Sequence, residues 1–233
     1  MRKFIWVLSG VVVIIGLSLV WSWWKQAWYR PIEVVSLADK LQYAEPVLVK
    51  NAVADEVKLG FFGMHIGVMR DRLLEVPWIV GAQVQRKWPK TVLLKVQERQ
   101  PLAIWEGAAT KGVIDTTGKL FYPPQADFAK LSAKQLPEFV GQETRLSAMV
   151  EMYLQILAKI KPLGLAVKKL QIMPDNGWQA MLDNEMLLVL GQQEVEERLS
   201  RFVLAYKDQK VGLRDGRVHV VDLRYTNGFA TNG

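Results

Sequence analysis

The sequence predicts an α+β fold on a single N-terminal transmembrane helix: a β-α-α-β-β unit over residues 31–98, then a second mixed β-sheet domain with two helices over residues 99–233. Three observations carry this. A charge-free apolar run opens the chain. Apolar residues alternate with period two in short segments bounded by Gly, Pro, Asn and Asp. Four longer segments carry apolar residues at helical spacing instead.

The opening run, "FIWVLSGVVVIIGLSLVWSWW" over residues 4–24, holds three serines as its only polar side chains. As a helix it spans about 31 Å, the thickness of a bilayer core. Its exit is bulky: Trp21, Trp23, Trp24, Trp28 and Tyr29. Such residues suit an interfacial aromatic belt and oppose the small-residue cleavage site of a signal peptide. The bias of Arg2, Lys3 and the amino terminus predicts residues 1–3 as a cytoplasmic tail, with the rest of the chain outside the cytoplasm.

"PIEVVSLADKLQY" opens as a strand. "EPVLVKNAVADEV" reads as one helix with Pro46 in its first turn, where a missing N–H costs little. "FFGM" is a connection, and "HIGVMRDRLLEV" a second helix with Ile66, Met69, Leu73 and Leu74 on one side, stopped by Pro77. Alternation then runs over Ala82, Val84 and Arg86 and, after the "WPKT" turn, over Val92, Leu94 and Val96. That is a β-hairpin. The last strand of this unit runs toward the second domain with no Gly/Ser linker, so a continuous strand is expected to couple the two.

The second domain begins with a hairpin around "DTTG" and a short strand at "LPEFVG". "LSAMVEMYLQILAKIKPLG" is a helix facing inward through Leu146, Met149, Val150, Tyr153, Leu157 and Ile160. Three strands follow, separated by "PDNG" and "DNE" turns. "QEVEERLSRFVLAYKD" is an amphipathic helix with Val195, Leu199, Phe202, Val203 and Tyr206 inward. The chain closes on "RVHVVDLRYTNGFATNG", read as a final strand at an open sheet edge followed by a polar tail; the alternative is an ordinary edge strand shielded by the tail "TNGFATNG". An unpaired edge is a liability that proteins usually blunt, and also a means of binding another chain.

Composition narrows the function. The formal charge is +7 over 233 residues, which favours anionic partners such as lipid, acidic protein or cell-wall polymer. No zinc-finger spacing or RNP-like aromatic strand supports nucleic acid. The tightest basic group, "QRKWPK", divides between two strand faces. There is no cysteine, which excludes disulfides, thiolate metal sites and cysteine nucleophiles. His65 and His219 are the only histidines, too few for a zinc site of the H-E-x-x-H kind. "IDTTGKLF" lacks the spacing and the second copy of an aspartic protease and reads as a turn. "SWWK" at Ser22–Lys25 has no S-D-N or K-T-G downstream. Trp88, Trp105 and Trp178 read as core or hairpin aromatics. No cofactor and no catalytic constellation is predicted.

The order Pro-Trp-Ile, strand, Lys-Trp-Pro, strand, Glu-Arg-x-Pro-x-Ala-x-Trp in "VPWIVGAQVQRKWPKTVLLKVQERQPLAIW" resembles the FtsQ/DivIB family, and residues 31–98 resemble its POTRA domain. "GVIDTTGKLF", "LPEFVG", "GWQAMLDNEMLLVLG", "RLSRFVLAY" and "VVDLRYTNGFA" follow in that family's order, so the resemblance covers nearly the whole chain. It implies a non-enzymatic division scaffold at the septum of the inner membrane. Such a scaffold links early and late division proteins and controls septal peptidoglycan synthesis through an FtsB–FtsL complex, with FtsK, FtsW and FtsI nearby. It also implies that the partner site lies on "LRYTNGF": Arg224, Tyr225, Asn227, Gly228 and Phe229. Some relatives carry an arginine two residues before the tryptophan of "GWQ"; here Asn176 stands there. The alternative that a POTRA unit raises is an envelope transport accessory, which would need many more barrel strands than this chain has.

Overall fold

The computed structural model describes residues 13–23, 32, 34–38, 40–107, 110–132, 134–208, 218–225 and 228–232. Residues 13–23 are helical and exposed. The rest of the predicted 4–24 anchor and the tail at 1–3 lie outside the described residues, among which no helix is long and apolar enough to cross a membrane. The chain divides into two compact units, Met1–Arg99 and Gln100–Gly233.

Among the described residues the first unit is built on a three-stranded sheet in the order β1-β3-β2. β2 (Ile79–Lys87) and β3 (Thr91–Glu98) form the hairpin, antiparallel from Lys87↔Thr91 to Ile79↔Glu98. β1 (Val34–Leu37) pairs parallel with β3, Val34 opposite Thr91 and Leu37 opposite Leu94. The helix expected over 45–57 is broken. α1 (Pro46–Ala52) ends at Val53, α2 (Ala54–Lys58) follows, and the expected connection is itself a helical turn, α3 (Gly60–Gly63). Gly60 sits at φ +82°, a conformation that costs glycine little and other residues more. α4 (Ile66–Leu74) buries Met69 and Leu73 and leaves Leu74 at its exposed edge. These side chains, with Val49, Val53, Phe61, Met64, Val92 and Leu94, fill the space over the sheet. Tyr43 stacks on the buried Trp78 with ring centres 4.9 Å apart.

One carboxylate ties the loop before α1 to the end of β3. Glu98 accepts from the backbone N–H groups of Gln42 at 2.7 Å, Tyr43 at 2.9 Å and Ala44 at 2.6 Å. This gives the Glu of "QERQP" a physical role, since three main-chain donors would otherwise need another acceptor.

Among the described residues the second unit forms a nine-stranded sheet, ordered β12-β11-β10-β9-β8-β7-β4-β5-β6. β4 (Pro101–Glu106) belongs to this sheet and β3 to the other, so the expected continuous strand is replaced by a break at Arg99–Gln100. β5 (Lys111–Asp115) and β6 (Leu120–Phe121) make the hairpin at the far edge. The buried Asp115 carboxylate accepts from Thr117 N at 2.9 Å, Thr117 Oγ1 at 2.5 Å and Lys119 N at 3.1 Å, which makes "DTTG" an Asx-type turn. A short helix, α5 (Phe128–Ser132), precedes β7 (Glu138–Val140), which lies parallel between β4 and β8 (Val167–Ile172). β9 (Trp178–Leu182) and β10 (Leu187–Gly191) continue antiparallel.

Two helices cover this sheet. α6 (Leu146–Ile160) buries Leu146, Met149, Tyr153, Ile156 and Ile160; α7 (Val195–Lys207) buries Val195, Leu199, Phe202, Ala205 and Tyr206. Both stripes match helical spacing, with Val150, Leu157 and Val203 at the half-buried margins. Trp105 and Trp178 are core residues, whereas Trp88 stands exposed in the β2–β3 turn.

Glu98→Ala is expected to destabilise the first unit by about 2 kcal/mol or more, because it strands three backbone donors on a charged acceptor's site. Glu98→Gln, which keeps one acceptor oxygen, should lose less. Thermal or urea unfolding followed at the Trp78 environment measures both.

Candidate partner-binding edge

The closing segment differs from its expected form. Among described residues 218–225, Val220–Asp222 is strand, β11, and it pairs parallel with β10 through Leu187↔Val220 and Val189↔Asp222. The tail then returns. Ala230–Asn232 forms β12, antiparallel to β11 with Asp222↔Ala230 and Val220↔Asn232. The edge of the sheet is therefore β12, and the segment expected to lie bare is covered by the chain's own last residues. The physical reason is the half-buried Phe229, which packs against the core and draws the polar tail back along β11. All three β12 residues are exposed.

Arg224 and Tyr225 sit in the bend between β11 and β12. Tyr225 is 58% exposed, and its carbonyl accepts from Arg201 Nη2 at 3.0 Å. Gly228 is half-buried, and Asn227 lies outside the described residues. Thus the structure brings Arg224, Tyr225, Gly228 and Phe229 to one end of the β11–β12 pair. Arg224 and Tyr225 present their side chains outward, while Phe229 turns in.

The Arg224 guanidinium is held by Asp222. Nε lies 3.0 Å and 3.2 Å from the two carboxylate oxygens and Nη2 lies 2.7 Å from Oδ2, while Arg224 N donates to Oδ1 at 3.0 Å. Hydrogen bonding to Arg224 holds the Asp222 carboxyl below its ordinary value against the opposing effect of burial, with Arg198 adding a smaller pull. The same pair raises Arg224. Beneath it, Arg198 Nη1 donates to Leu190 O at 2.6 Å, and the Nε atoms of Arg198 and Arg201 are buried without a hydrogen-bond partner. Gly191 at φ +75° makes room for these cations. A Cβ there would lie 2.6 Å from Arg198 Nη1 and 3.1 Å from Arg224 Cγ. Arg198, Arg201 and Gly191 escaped the sequence reading because their roles arise only once α7 crosses the end of β10.

A second feature lies at the carboxyl ends of β4, β7 and β8, a groove bordered by Lys111, Glu143, Arg145 and Asn176. Asn176 adopts φ +62°, and its side-chain oxygen accepts from Arg145 Nη1 at 3.1 Å. Among the described residues no group of three or more His, Cys, Asp or Glu could hold a metal ion.

With a unit of one strand, a run of short helices and a hairpin, and this nine-stranded sheet in hand, comparison with known proteins assigns the class. Residues 30–99 match the model of the "POTRA domain, FtsQ-type", and residues 103–224 match "Cell division protein FtsQ/DivIB, C-terminal". The chain is similar to the "Cell division protein FtsQ" of several bacteria. It is 30% identical to that of Bordetella pertussis (strain Tohama I) over 85% of this chain and 77% of the relative. It is 28% identical to that of Vibrio cholerae over 91% and 78%, and 28% identical to that of Haemophilus influenzae over 96% and 86%. The chain belongs to the FtsQ/DivIB family of cell-division proteins.

The Asp222–Arg224 pair should leave a mark on acid stability. A carboxyl whose folded value is depressed stabilises fully above its unfolded value, near 3.8, and that contribution is lost as pH falls through the lower folded value. Asp222→Asn is expected to lower the melting temperature at pH 7 and to narrow the gap from wild type as pH drops below that value. Melting curves across the acid range check it; a gap independent of pH would contradict the ion pair's role.

Proposed function

We propose that this protein is a non-enzymatic scaffold of the cell-division machinery, anchored in the inner membrane by residues 4–24. In this reading residues 1–3 are cytoplasmic, residues 31–98 form the POTRA domain and residues 99–233 the partner-binding β domain. At the division septum it would link early and late division proteins and control septal peptidoglycan synthesis by binding an FtsB–FtsL complex, with FtsK, FtsW and FtsI nearby. Family membership supports the division role; the charge-free run and its aromatic exit support the anchor.

The observation that carries the partner site is the exposed edge at β12 beside Arg224 and Tyr225. A partner strand laid on β12 would supply main-chain hydrogen bonds, with side chains at alternate positions setting specificity. Tyr225 offers a large apolar face with a hydroxyl handle, the kind of residue that dominates interface energies. Arg224 offers a cation fixed in direction by Asp222, suited to an acidic partner group. Gly228 borders the same bend, and Phe229 packs against the core beside it; Asn227 completes the proposed site by its place in the sequence. Arg145, hydrogen-bonded to Asn176, brings a cation to the place where an arginine is expected in some relatives.

Tyr225→Ala should weaken binding of an FtsB-like partner peptide to the full chain by at least about tenfold, about 1.4 kcal/mol, with the melting temperature nearly unchanged. Titration calorimetry beside a thermal melt measures both. Unchanged binding, or an unfolded variant, would remove Tyr225 from the site. Fluorescence of the tagged protein in dividing cells is a separate test of the division role: a midcell band is expected, and a uniform envelope signal would contradict it.

A further inference from the structure

The tip of the β2–β3 hairpin carries Trp88, 76% exposed, more than any other large apolar side chain among the described residues. Such a side chain standing alone in water gains nothing there, and its neighbours are not neutral. Exposed Lys87 precedes it, and Pro89 and half-buried Lys90 follow. Arg86 is engaged elsewhere, donating to Met64 O at 2.5 Å. The tip is thus an aromatic ring preceded by an exposed lysine, within a chain of formal charge +7.

Strand register gives this tip a position. Thr91 pairs with Lys87 on one side and with Val34 on the other. Because β1 runs parallel to β3, the chain enters the sheet at the end where the hairpin turns. Two strand spacings, about 10 Å, separate Val34 from Lys87. Only residues 25–33 lie between the apolar run and Val34, and nine residues reach at most about 30 Å when fully extended. The opposite end of the sheet is marked by Glu98, whose carboxylate is taken up by the loop before α1. The end tethered to the anchor is the one bearing the tryptophan and Lys87; the acidic residue sits at the other.

We propose that the Trp88 tip docks on the anionic lipid surface from which the chain emerges, with the indole in the headgroup layer and Lys87 against lipid phosphates. An indole is at home in that layer, and a lysine beside it gains from negative surface charge. The contact would hold the POTRA unit at a fixed height and tilt on the membrane. This rests on the anchor reading above.

The chain has no cysteine, so one nitroxide can be placed at Gln85→Cys near the tip or at Gln97→Cys near the other end. The full chain is reconstituted in vesicles of phosphatidylglycerol and phosphatidylethanolamine. It should float with them after an alkaline wash; a chain that washes off overturns the anchor and this proposal with it. In the anchored chain, access of a water-soluble nickel complex to the label at Gln85→Cys should rise several-fold on adding Trp88→Ser, while the label at Gln97→Cys is indifferent. Equal access with and without Trp88 overturns lipid docking. Equal protection in phosphatidylcholine vesicles overturns the part given to Lys87.

Discussion

A β-sheet cannot stop without leaving a row of main-chain donors and acceptors that need partners. The second unit depends on how that constraint is met at one edge. β10 is closed by β11, β11 by β12, and β12 by nothing further among the described residues. Each closure is short, three residues at β11 and three at β12. An edge so short is poorly suited to indiscriminate pairing and well suited to a partner that also grips the side chains beside it.

Those side chains are set by charge as much as by the sheet. Arg198, Arg201 and Arg224 converge where α7 crosses the end of β10, and Asp222 is the carboxylate that organises the outermost of them. Arg201 fixes the carbonyl of Tyr225, so the bend that presents the tyrosine is held from below. Gly191 is the spatial condition for the arrangement, since any side chain there would collide with Arg198. A cluster of this kind costs stability when its nitrogens lack acceptors, as two Nε atoms do. An acidic partner group nearby would offset some of that cost.

Much of the fold was legible because it rests on periodicity. The stripes of α6 and α7 and the alternation of β2 and β3 are local patterns whose burial follows directly. The errors came where tertiary context decides. Val53 divides a segment, 45–57, that reads as one helix, and Gly60 opens a helical turn where a connection is expected, so that Val49, Phe61 and Met69 are all buried. The polar tail carries no alternation, so β12 was invisible; its strand form comes only from pairing with β11. Phe229, a lone aromatic in that tail, was the available signal that the chain returns to the core. Tyr225 is exposed, in keeping with its place in a strand-end segment, whereas Arg201 and Gly191 act through contacts that no spacing in the sequence encodes.

The central claim is that the β11–β12 end of the sheet receives the partner strand. Amide hydrogen exchange of the full chain with and without an FtsB-like peptide tests it most directly. The account predicts slowed exchange over residues 218–232, strongest at Ala230–Asn232, with the groove beside Arg145 changing less. Protection confined to that groove or to the POTRA unit, with β12 exchanging as fast as in the free chain, would contradict it.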